Sequence, residues 1–123
     1  MTYSYTIIGE TPAKKNSRIT LRNGRTIPSK NFQKWHKIAL TELEMQEKPS
    51  EPLDCPCRVF LRFIHGDLRR RDSDNGTSSI MDLLVDAGIL YDDNWQIVRQ
   101  IKVQNEYIKN EARCEVIINE WED

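Results

Sequence analysis

The chain has 123 residues, of which 38% are hydrophobic and 30% charged, with a formal net charge of −1. That suffices for one packed domain, residues 1–123, and is too short for two. The apolar runs are too short to span a membrane, no signal peptide opens the chain, and three cysteines, an odd number, argue for a reducing cytoplasm rather than a disulfide framework.

The small net charge hides an asymmetry. Residues 1–37 carry eight lysines and arginines against one acid, Glu10, an excess of seven that leaves −8 for the remainder. A uniformly basic nucleic-acid binder would not divide this way. A basic arm set against an acidic body suits a nuclease, whose arm tracks the phosphate backbone while metal offsets the acids.

In chain order, Tyr3 to Ile8 is β-branched and aromatic and predicts a strand ended by Gly9 and Pro12. Thr11 to Pro28 is polar and basic. Asn23-Gly24 is a tight-turn signal between Ile19–Leu21 and Arg25–Ile27, so a small hairpin or arm is expected. Lys14, Lys15, Arg18 and Arg25 are its candidate DNA contacts. Ser29 caps an expected helix to about Gln46, with Phe32, Trp35, Ala39 and Leu43 as its buried stripe. His36 is read as helix-face packing. Cys57 to Ile64 alternates and predicts a strand. Cys55-Pro-Cys57 lacks the spacing of a zinc or redox pair, and the cysteines are read as packing or surface residues. His65, one residue past that strand, is expected to be half-buried and structural.

Next comes Arg69-Arg70-Arg71-Asp72-Ser73-Asp74-Asn75. Carboxylates spaced i, i+2 on extended backbone point the same way and repel unless a cation lies between them. Oxygen-only donors favour a hard ion such as Mg²⁺, and guanidiniums favour phosphate oxygens. The plain alternative is a turn and a helix cap beside a solvated arginine face. A calcium loop is excluded: counted from Asp72, the sixth position is not glycine and the twelfth is Leu83.

A second helix is expected from about Asn75, capped by Asp74, through Ala87, with Ile80, Leu83, Leu84 and Ala87 buried and Gly88 as its stop. Asp92-Asp93-Asn94 reads as a turn. A strand from Trp95 to Gln104 follows, with Trp95, Ile97, Ile101 and Val103 alternating against polar residues, then a polar connection over Asn105–Glu111 and a last strand from Arg113 to Asn119. The order suits an α+β domain: a mixed sheet of about four to five strands, two helices on one face, and the basic N-terminal arm. The second helix would return the chain so that Asp92 and Asp93 approach the strand carrying Asp72.

Arg-Arg-Arg-Asp-x-Asp-Asn, a helix with Asp-Leu-Leu-x-Asp-Ala-Gly-Ile, and Asp-Asp-Asn-x-Gln together resemble the RusA family of Holliday-junction resolvases. The likeness is strongest over residues 69–98 and extends more weakly to the arm and the Ser29 helix. It implies a homodimeric, Mg²⁺-dependent endonuclease, with Mn²⁺ as a substitute and no small-molecule cofactor. Such an enzyme cuts a four-way DNA junction symmetrically. Asp72, Asp74 and Asp93 match the family's catalytic metal-binding acids, with Asp92 beside them; Arg69, Arg70 and Arg71 join the arm as DNA contacts. Where the family commonly has a lysine, four residues after the second motif aspartate, this chain has Ser78. Lys14, Lys15 or Arg71 could supply that charge; otherwise the chain is a weakly active or inactive binder of branched DNA.

Overall fold

The computed structural model describes residues 1–13 and 18–122, with Arg18 described by its backbone alone. Among these residues six strands and two helices follow one another as β1 (Thr2–Ile8), β2 (Arg18–Thr20), β3 (Thr26–Pro28), α1 (Lys30–Glu44), β4 (Cys57–His65), α2 (Thr77–Asp86), β5 (Val98–Tyr107) and β6 (Arg113–Glu120). Four strands form a mixed sheet in the order β1-β6-β4-β5, and β2 pairs with β3 as a separate hairpin. The expected α+β architecture is therefore present, with four strands in the main sheet.

Alternation along the strands decides which face is covered. Tyr5 and Ile7 of β1, Val59, Leu61 and Phe63 of β4, and Cys114, Val116 and Ile118 of β6 are buried together with Ala39, Leu43, Ile80, Leu83 and Leu84 of the two helices. Each such aliphatic side chain contributes about 1.5–3 kcal/mol on burial, so both helices are held on one face. The opposite face is polar, and there Arg62 bridges Glu106 and Glu115 across three strands. The β1 edge is closed by α1: Gln46 exchanges two hydrogen bonds of 2.9 Å with the Thr6 backbone, and Glu42 accepts from the Ile8 amide at 3.0 Å. No helix element makes comparable contact with β5, whose residues from Arg99 to Gln104 are almost all exposed.

α1 begins as its sequence predicts, the Ser29 hydroxyl accepting from the Phe32 amide. Its stripe is narrower than expected, because Trp35 is only half-buried. α2 starts later than Asn75, and Asp74 does not cap it. Residues 72–77 make two successive turns instead, Asn75 N to Asp72 O and Thr77 N to Asp74 O at 3.1 Å each, and Gly76 takes the cap position without a side-chain bond. Gly76 is tightly packed: a Cβ there would lie 2.8 Å from Thr11 Cγ2 and 2.9 Å from Phe63 Cε1, closer than another residue can come unless these side chains shift. The helix ends on Gly88 at φ +73, with Ile89 N bonded to Leu84 O and Gly88 N to Val85 O, and with Ile89 and Leu84 both fully buried.

β5 departs most from its expected form. It runs from Val98 to Tyr107 instead of from Trp95 to Gln104, so Asn105 lies in the strand and not in a connection. Residues 94–97 form a turn in which the Ile97 and Val98 amides both reach Asn94 O. Trp95 is thereby left 70% exposed, under the Arg99 guanidinium at 5.6 Å, and Ile101 is 41% exposed although it alternates with polar neighbours. Hydrophobic alternation there reflects a strand whose helix-side face no helix covers.

Candidate functional site

The acids flagged by the sequence sit on two turns. The first follows β4 and carries Asp72 and Asp74; the second precedes β5 and carries Asp92 and Asp93. α2 is the intervening crossover between two parallel strands, and it brings Asp74 and Asp93 to one open cavity of about 380 Å³, also lined by Asn75, Thr77, Ser78, Met81 and Ile101. Asp72 lines a neighbouring cavity of similar size with His65, Arg69, Arg71, Asn105 and Tyr107. Ile101 and Asn105 share the helix-side face of β5, so that uncovered face floors both cavities, and the Asp72–Asp74 turn stands between them.

The second turn is built from its own side chains. Asp92 Oδ1 accepts from the Asp93 amide at 2.7 Å, Asp92 Oδ2 from Asn94 Nδ2 at 2.9 Å, and Asn94 Oδ1 from the Gln96 amide at 2.9 Å. Those donors, Asn94 foremost, hold the Asp92 carboxyl below its usual range. Asp93 is pushed the other way, first by loss of hydration, then by Asp92, with Asp82 adding repulsion.

The first turn is held from outside. Asn105 Nδ2 donates to Ser73 O at 2.8 Å. Arg71 is 14% exposed and pairs with Asp67 at 3.0 Å and Glu10 at 3.4 Å, while its Nη1 also reaches Arg69 O. Arg71 is thus committed to the protein, whereas Arg69 and Arg70 are exposed and face solvent, as does Arg25 on the hairpin. Lys14 and Lys15 lie outside the described residues. His65 has the half-buried structural role expected of it, its Nδ1 2.9 Å from Glu10 and its Nε2 2.8 Å from Asn105. His36 packs on Phe32 and meets Asp86 at 2.8 Å.

Among the described residues no three His, Cys, Asp or Glu side chains are gathered closely enough to cage a metal. The donor set still fits Mg²⁺, which keeps most of its waters and is commonly held by one or two carboxylates together with substrate phosphate. Asp74 and Asp93 are such a pair. Glu10 and Asn105 were missed as site residues. Glu10 carried a faint signal as the sole acid of a basic segment; Asn105 carried none, because the sequence places it in a polar connection after the strand.

Oxygen donors from two turns beside exposed guanidiniums are the equipment of a nucleic-acid-cleaving domain. The chain belongs to the RusA family: the family model described as Endodeoxyribonuclease RusA matches residues 9–119, nearly its whole length. A search of the curated proteins found no match. No helix of the described residues is long and apolar enough to cross a membrane.

Proposed function

We propose that this protein resolves four-way DNA junctions as a Mg²⁺-dependent endonuclease acting as a homodimer. One observation carries the reading: acids nineteen positions apart in sequence, Asp74 and Asp93, meet at one cavity in a chain of an endodeoxyribonuclease family. Asp74 and Asp93 would hold the ion, with Asp72 approaching from the adjoining cavity and Asp92 orienting the second turn. When bound, the ion polarises the scissile phosphate and lowers the pKa of a water for in-line attack. Arg69, Arg70 and Arg25 receive the flanking phosphates, while Arg71 keeps the first turn in place. Mn²⁺ substitutes because it accepts the same oxygen donors. A junction has approximate two-fold symmetry, so paired incisions call for two sites related in the same way, which a dimer provides.

The experiment is cleavage of a labelled mobile junction by wild type and Asp74→Asn, with binding measured in parallel. Wild type should nick opposing strands only with Mg²⁺, and the variant should bind but cut about 10²–10³-fold more slowly. Unchanged cleavage by the variant at unchanged binding would refute the assignment, and a monomer in sedimentation at micromolar concentration would refute the dimer.

A second reading, a branched-DNA binder with little activity, is favoured by one feature. Ser78 lines the acid cavity, and no cationic side chain among the described residues lines it. A retarded junction without metal-dependent nicking selects that reading.

A further inference from the structure

We infer that Asn105 is a positioning residue for the acid-bearing turn, with His65 and Glu10 orienting it from behind. The inference rests on the metal-dependent reading above and adds to it how the chain fixes the first pair of carboxylates.

Among the described residues, one side chain of β5, that of Asn105, ties down the peptide between Asp72 and Asp74. Asn105 Nδ2 donates to Ser73 O at 2.8 Å across 32 residues of sequence. A carbonyl can only accept, so the amide group of Asn105 must turn its NH₂ toward Ser73 and its Oδ1 toward His65. His65 Nε2 lies 2.8 Å from that Oδ1 and carries the hydrogen of the contact. The other ring nitrogen lies 2.9 Å from Glu10 Oε2, and the same oxygen is 3.4 Å from Arg71 Nε. Arg71 reaches on to Asp67 and to Arg69 O. Asp72 is therefore bracketed, by Arg71 on the preceding residue and by the Ser73 carbonyl on the following one. Both anchors trace back to Glu10.

The Asp72, Ser73 and Asp74 side chains are all exposed, so little packing holds them. Carboxylates on such a turn serve a metal only when held near their productive positions, and here that work falls to hydrogen bonds from outside the ligand set. Losing a partner of this kind typically costs 10- to 100-fold in metal affinity or activity. A purely structural asparagine would instead change stability and leave the metal requirement alone.

Two substitutions test this. Asn105→Asp keeps the acceptor toward His65 and replaces the donor toward Ser73 by an oxygen; Asn105→Ala removes both groups without adding charge. Calorimetric titration with Mn²⁺ reads ion binding directly, junction cleavage against Mg²⁺ concentration reads its use, and thermal unfolding with metal-free junction binding reads integrity. Both variants should bind Mn²⁺ about 10- to 100-fold more weakly, with a matching rise in the Mg²⁺ concentration for half-maximal cleavage. Folding and metal-free junction binding should stay at the wild-type level. Wild-type Mn²⁺ affinity in both variants overturns the inference, as does a loss confined to folding or to junction binding. The two failures remain separable. A wild type that binds Mn²⁺ without cutting sinks the nuclease reading alone, and a cutting wild type with indifferent variants sinks this one alone.

Discussion

The two acid-bearing turns reach the same neighbourhood by opposite means. The turn at Asp92–Gln96 folds on bonds between residues one or two positions apart, so a few neighbouring side chains specify it. The turn at Asp67–Gly76 has some local bonds, but its position depends on Phe63 and His65 of the preceding strand and on Glu10, Thr11 and Asn105, which lie far outside it in the chain. A short polar segment can carry its own geometry. A longer one beside a sheet must borrow it, and its shape is then only as secure as the elements that lend support. The difference predicts that distant substitutions will disturb Asp72 and Asp74 while leaving Asp92 and Asp93 where they are.

The largest effect should come from the self-contained turn. Asp93→Asn keeps its shape and removes one charge, and cleavage should fall about 10²–10³-fold in a single-turnover junction assay. A tenth of wild-type activity or more would mean that the second turn contributes no ligand. Next is Gly76→Ala, which forces Thr11 and Phe63 to give way at the foot of the first turn. It should cost about 1–3 kcal/mol in denaturant unfolding, and wild-type stability would show that the borrowed support is slack. Asn94→Ala removes two bonds from an exposed turn and should cost only about 0.5–1.5 kcal/mol, with no change around Asp72 in amide exchange.

The smallest effect concerns pH. Arg62 holds Glu106 below the usual carboxylate range, and Arg113 followed by Arg62 does the same for Glu115. A depressed acid adds stability that is present above its unfolded value near 4.5 and disappears as pH falls through the folded one. Glu106→Gln should therefore lower the melting temperature slightly at pH 7, by an amount that shrinks as the pH is taken down through the acid range. A deficit that does not shrink on acidification would mean that the lost contribution is packing and not charge.

Much of the fold was legible because burial leaves a period. Phe32, Ala39 and Leu43, the alternation from Cys57 to Ile64, and the Leu84–Ile89 stop around Gly88 record which side chains avoid water. β5 was misread because its helix-side face is uncovered, so Trp95 and Ile101 alternate without being buried. Asp74 was misread as a cap because Asp before a helix usually is one, whereas Gly76 takes that position against Thr11 and Phe63, a close approach that no local pattern reveals. The arginines were legible as a group. Their division was not, since Arg71 is withdrawn from solvent by Glu10, 61 positions earlier.

By itself the sequence determined the helices, the strand cores, the Asn23-Gly24 hairpin and the Asp92 turn, because each depends on side chains within a few positions of one another. Only the tertiary structure decided where β5 begins, which arginine is spent on the protein, and what secures the peptide between Asp72 and Asp74. Those outcomes depend on groups brought together across 30 residues or more, and a hydrogen bond of that span leaves no mark until the sheet has formed.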